Sequence, residues 1–154
     1  MKEIQYRGGL AVFSIPANWV EELDPNSGGT YYLDEPDSGT LRLTVQTFQR
    51  AGHDQSLTST DALSGSQSKY CTTVQELPNG NSICEYIIRT EEEGEKITLY
   101  WWQVANVVPK NTLRIASFSY TVLSSQEGNS RVTAELKLLR SSIEAVRFSK
   151  EIGL

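Results

Sequence analysis

Histidine is the side chain best suited to move a proton near neutral pH, and this 154-residue chain has one, His53, in the run Ala51-Gly52-His53-Asp54. Asp54 follows directly, but two neighbours in a loop need not face each other. No Gly-x-Ser-x-Gly turn presents a serine for them to activate. His53 therefore reads as a solvated loop residue, and a small-molecule site or hydrolase built around it is the alternative. Cys71 and Cys84 do not form the close Cys-x-x-Cys pair of a structural zinc site, so no metal and no cofactor are expected. Two cysteines in a chain with no export signal read as reduced thiols rather than as a bridge. The string Asp24-Pro25-Asn26-Ser27-Gly28-Gly29 with Glu35 has acid or amide oxygens where a calcium loop needs some of them. Gly28 replaces one donor, however, Pro25 is foreign to such a loop, and a β-turn with solvated acids is the better account.

The remaining candidates are surface features. Glu91, Glu92 and Glu93 open an acidic run to Glu95 at what reads as a hairpin tip, where charge deters edge pairing and offers a basic partner a contact. Tyr100, Trp101 and Trp102 are consecutive on a predicted strand, so their rings must alternate between its two faces. If helices cover both faces all three are core, and if one face is open a large apolar patch results, which marks an interface. These six residues are the candidate protein-binding site. Tyr31 and Tyr32 raise the same question, whereas Trp19 reads as a plug beneath the corner made by Pro16.

Charge excludes other partners. The net charge is −5 and the pI near 4.9, so the basic face that nucleic acid or an anionic membrane requires is poorly supplied. No stretch approaches the roughly 18 to 20 apolar residues that span a bilayer. The opening Met-Lys-Glu-Ile-Gln-Tyr lacks the apolar core of a secretory signal, and a cytoplasmic location is the expectation.

The elements that would position these residues follow from periodicity. Leu10–Ile15 alternates as a strand ended by Pro16, and Asn18–Leu23 reads as one helical turn capped by Asn18. Residues 30–33 and 41–48 read as a hairpin, with Leu41, Leu43 and Val45 on the buried side. A helix is expected from about Thr58 to Thr72. Residues 82–90, 96–107 and 112–123 form a meander of long antiparallel strands, and Ser130–Val146 is an amphipathic helix with Val132, Leu136, Leu139 and Ile143 on its apolar face. No repeat or linker divides the chain, which reads as a single domain, residues 1–154, of α+β class: an antiparallel sheet with helices packed on it.

The opening Gly9-Leu10-Ala11-Val12-Phe13-Ser14-Ile15-Pro16-Ala17-Asn18-Trp19 resembles the entry of the PsbP, DcrB and Mog superfamily. There, Pro and Trp turn the chain, two strands and a helix follow, and long strands lead to a C-terminal helix ending near a pair like Arg147-Phe148. The resemblance implies an α/β/α sandwich used mainly as a binding scaffold. It gives the expectation of a non-enzymatic protein-binding or adaptor protein from a bacterium, a secreted-toxin chaperone or immunity-type protein being its most specific form. The partner would be another protein or a second copy of the chain.

Overall fold

Which residues become strands is decided by alternation, and which strands lie in the middle is decided by how many of their alternate residues are apolar. The fold was obtained as a computed structural model that describes residues 1–49, 58–64, 69–108 and 112–150. A large antiparallel sheet contains β3 (Val20–Asp24), β4 (Gly28–Tyr32), β5 (Thr40–Gln49), β6 (Gln75–Glu76), β7 (Ser82–Glu92), β8 (Glu95–Val108) and β9 (Thr112–Leu123). Its seven strands lie in the order β3-β4-β5-β9-β8-β7-β6. A small sheet joins β1 (Lys2–Tyr6), β2 (Ala11–Ile15) and β10 (Arg147–Phe148), with β2 in the centre. Two α-helices are described, the short α1 (Ser59–Ser64) and the long α2 (Ser130–Glu144).

One face of the large sheet is the core. Leu41, Leu43, Val104, Ala116, Phe118 and Tyr120 are fully buried there, under the small sheet and α2 side by side. Phe13 of β2 meets Tyr31 and Phe118 edge-on, with ring centroids 5.3 and 5.2 Å apart, and so binds sheet to sheet. Trp19 is buried and stacks on Tyr120, as its reading as a plug requires. The helix α2 buries Val132, Leu139 and Ile143, and its N-cap Asn129 accepts a 2.7 Å hydrogen bond from the Val132 amide. At its C-terminal end, Asn81 donates to the Val146 carbonyl and accepts from Asn106, fixing the helix to the sheet.

Among the described residues, the other face is covered only at one end, where Leu63 of α1 packs on Ala105 and Ile115. The fold is therefore a sheet-dominated α+β arrangement, and helices do not cover both faces as in a clear α/β/α sandwich.

Two local expectations are corrected. Residues 20–24 form β3 rather than a helical turn, because pairing with β4 from Val20 opposite Tyr32 to Asp24 opposite Gly28 overrides the local capping signal. The helix expected to reach Thr72 is described over Ser59–Ser64, and Tyr70 and Cys71 are not helical, being held against β7 by the Cys71–Cys84 bond and the stacking of Tyr70 on Tyr86. The 30–33 and 41–48 hairpin, the three-strand meander and the C-terminal helix are all present.

The Phe13 contact sets a stability test. Phe118→Ala should lower unfolding free energy by about 3 to 5 kcal/mol, and Asn129→Ala by about 1 kcal/mol. Urea unfolding followed by tryptophan fluorescence measures both, and equal losses would contradict the placement of the core.

Candidate functional site

Tyr100, Trp101 and Trp102 lie on β8 with β7 as neighbour, in the register Tyr100 opposite Ile87, Trp101 opposite Tyr86 and Trp102 opposite Glu85. Alternation sends Tyr100 and Trp102 to the core face and Trp101 to the other. Trp102 is buried, its indole N–H donating to Glu85 Oε2 at 3.1 Å, so it is core rather than interface. Tyr100 is half-buried, and its hydroxyl pKa is raised, mainly by burial and further by the nearby Glu127 carboxylate.

Trp101 is half-buried on the face that α1 leaves largely uncovered, and it begins a stack of three rings. Tyr86 lies parallel to it at 6.1 Å, and Tyr70 lies over Tyr86 at 5.5 Å. Tyr70 remains 45% exposed. The Trp101 indole N–H is enclosed and, among the described residues, has no hydrogen-bond acceptor, an arrangement that costs about 1 to 3 kcal/mol for such a group. The result is an aromatic ledge beside the sheet edge.

A disulfide builds this ledge. Cys71 and Cys84 are bonded, with Cα atoms 5.7 Å apart, contrary to the expectation of reduced thiols. The reason is packing: Cys84 faces the same side of β7 as Tyr86, and the adjacent Tyr70 and Cys71 lie together over that face. Nothing in the spacing of the two cysteines announces this, and Tyr70 and Tyr86 are site residues that sequence reasoning misses.

Glu91, Glu92 and Glu93 stand at the β7–β8 tip and are exposed, as expected. Glu93 and Gly94 both have positive φ, 53° and 80°, the conformation of a two-residue hairpin turn, and Glu92 faces Glu95 across it. Glu91 is five steps along the strand from Tyr86, roughly 17 Å, so the acids and the ledge are not one site.

On the core face of β7 lie two ion pairs. Arg89 binds Glu127 at 2.7 Å, and Thr98 donates to the same carboxylate at 2.6 Å. Arg140 of α2 binds Glu85 at 2.9 Å. The Arg89 and Thr98 hydrogen bonds hold the Glu127 carboxyl below its usual range.

Asp24 accepts from the Asn26 amide at 2.7 Å in the β3–β4 turn, and Glu35 pairs with Arg131, so the calcium-like string is a turn and an ion pair. Tyr31 is core, whereas Tyr32 is half-buried and donates to Glu22. Among the described residues no group of three His, Cys, Asp or Glu is placed to hold a metal. His53 and Asp54 lie outside the described residues. No described helix is long and apolar enough to cross a membrane.

No protein-family model matches the chain, and no curated protein matches it. Solved structures do. A protein from Bacteroides thetaiotaomicron VPI-5482 superposes with a TM-score of 0.66 at 16% identity over 97% of this chain, which spans 49% of that protein's length. LpqN, involved in cell envelope biogenesis of Mycobacterium tuberculosis, gives 0.59 at 12% identity over 90% of this chain and 83% of its own. A point mutant of the protein Mog1 gives 0.55 at 13% identity, covering 97% and 96% of the two chains. The chain shares the fold of Mog1. At these identities the likeness is one of fold alone, which is the level at which the PsbP, DcrB and Mog resemblance holds.

Two measurements check the site. Replacing both cysteines by Cys71→Ser and Cys84→Ser should cost about 3 kcal/mol, the order expected for a loop this short, and should alter the Trp101 fluorescence as Tyr70 leaves the stack. Because the Glu127 pKa is lowered on folding, its contribution is present above the ordinary value of 4.5 and is lost as pH falls through the lower folded value. Wild type should therefore exceed Glu127→Gln in stability at pH 7 by less than about 1 kcal/mol, with the gap closing in acid. A gap that widens in acid would contradict the Arg89–Glu127 pairing.

Proposed function

We propose that the protein is a non-catalytic binding module, an adaptor, that receives a folded protein partner on the Trp101–Tyr86–Tyr70 ledge. The observation that carries this is the ledge itself: three stacked rings on a sheet face that the described residues leave largely uncovered, the outermost 45% exposed. Aromatic rings with a polar end are favoured at the centres of protein interfaces, because they bury much area at little entropic cost. A disulfide that holds the outer ring in place prepares the surface before the partner arrives, which reduces the ordering cost of binding.

The same disulfide supports an oxidising compartment over the cytoplasm anticipated from the N-terminus. The fold it shares with a protein involved in cell envelope biogenesis is compatible with that location.

The test is a comparison of retained partners. Tagged wild-type protein, captured from its own source under non-reducing conditions, should hold one protein in stoichiometric amount. The double variant Tyr70→Ser, Tyr86→Ser should lose it, while Leu23→Ser, an exposed apolar site on the opposite edge strand, should keep it. Equal retention by all three proteins would sink the reading.

A further inference from the structure

The outer edge of β7 is open over most of its length. β6 pairs only with Ser82 and Ile83, and among the described residues no strand pairs with the outer side of residues 84–92. Neither proline nor a break in register interrupts this stretch, which pairs without a gap with β8 on its inner side. The direction of its free groups follows from the β6–β7 turn. The Leu77 amide donates to the Asn81 carbonyl at 2.8 Å, so that carbonyl faces the β6 side. Alternation along an antiparallel strand then turns the N–H and C=O of Glu85, Ile87 and Arg89 outward.

Beside this edge lies a pocket of about 370 Å³ lined by Glu85, Ile87, Tyr100 and Trp102, whose side chains alternate to the core face, together with Tyr86 and Trp101 between them. Ile87 is 48% exposed. On the same face, two residues to either side of it, stand Glu85 and Arg89. Each is held by its own partner yet remains 45% and 62% exposed at the side chain. Unpaired backbone, an apolar pocket and two flanking charges of opposite sign thus coincide over one short segment.

We propose that the β7 edge is a strand-addition site for an extended peptide segment of a partner protein, running antiparallel to β7. Backbone hydrogen bonds to Glu85, Ile87 and Arg89 supply general affinity, and side chains on the core face supply selection. An apolar side chain opposite Ile87 enters the pocket, an acidic side chain two residues before it meets Arg89, and a basic one two residues after it meets Glu85. The recognised pattern is acidic-x-apolar-x-basic, read from the N-terminus. A second copy of the chain carries that order in its own Glu85-Tyr86-Ile87-Ile88-Arg89, but its Glu91–Glu95 tip would run into β6, which occupies the outer side of Ser82 and Ile83. A free segment has no such obstruction. Tyr86 and Trp101 of the ledge also line the pocket, but their rings lie on the opposite face of the sheet from Glu85, Ile87 and Arg89, which carry the selection.

The experiment uses two capped synthetic heptapeptides, Thr-Glu-Thr-Leu-Thr-Lys-Thr and its charge-swapped form Thr-Lys-Thr-Leu-Thr-Glu-Thr, titrated into the isotopically labelled full chain. The first should bind at least tenfold more tightly than the second. Amide hydrogen exchange should slow at Glu85, Ile87 and Arg89, while Tyr86 and Ile88, already bonded to β8, stay unchanged. Ile87→Lys should abolish binding with the rest of the spectrum intact, and Leu23→Lys, on the other edge, should not. Equal affinity for the two peptides, binding without new protection at the three outward amides, or no binding by a protein with a native spectrum would each overturn the proposal.

Discussion

Phe13, wedged edge-on against both Tyr31 and Phe118, is the contact on which the arrangement depends. It belongs to the small sheet, and its two partners belong to different strands of the large one. Once it is seated, the face of the large sheet that carries Leu41, Leu43 and Tyr120 must be the inner one. A one-residue slip in any strand would carry its apolar set out into water. The register of β5, β9, β8 and β7 is therefore fixed as a chain of consequences, and so is the outward direction of Trp101 and Tyr86. The surface features are what remains when one face of an antiparallel sheet is buried over its middle strands and left open toward the β7 edge, while the other, among the described residues, is only partly covered.

Much of the frame is legible in the sequence because it rests on local periodicity. The meander from Ser82 to Leu123 and the helix after Asn129 declare themselves through alternation and a three-to-four repeat, and tertiary packing agrees with both. Residues 20–24 mislead because Asn18 and the two glutamates that follow are good helix-start chemistry, and the strand pairing that overrules them comes from a neighbouring hairpin. Composition finds the candidate aromatic triplet and geometry then divides it: Trp102 is core, Tyr100 lines a pocket and Trp101 joins the ledge. What the sequence hides is proximity. Tyr70, Tyr86 and the Cys71–Cys84 bond lie together over one face of the sheet, and no periodic signal encodes that meeting.

Charge is used here chiefly to hold elements in register. Arg140 ties α2 to β7, Arg89 ties β7 to the turn before α2, and Arg131 reaches both Glu35 and Glu135. These pairs are largely exposed, so each contributes little to stability. Their common effect is positional, because they join α2 and the turn before it to strands and loops distant in sequence.

The order of strands has a consequence in time. β7, β8 and β9 are neighbours in both sequence and space and meet through short connections, whereas β5 reaches β9 from far along the chain, with Thr40 opposite Thr121 and Gln49 opposite Thr112. Contacts between residues close in sequence cost less entropy to close than distant ones, and they form faster. The slow event in folding is then the arrival of β5 against an assembled meander. A strand waiting for a distant partner presents the exposed edge of β9 to any other extended chain nearby. In a crowded compartment, the longer that edge waits uncovered, the smaller the share of chains that reach the native state.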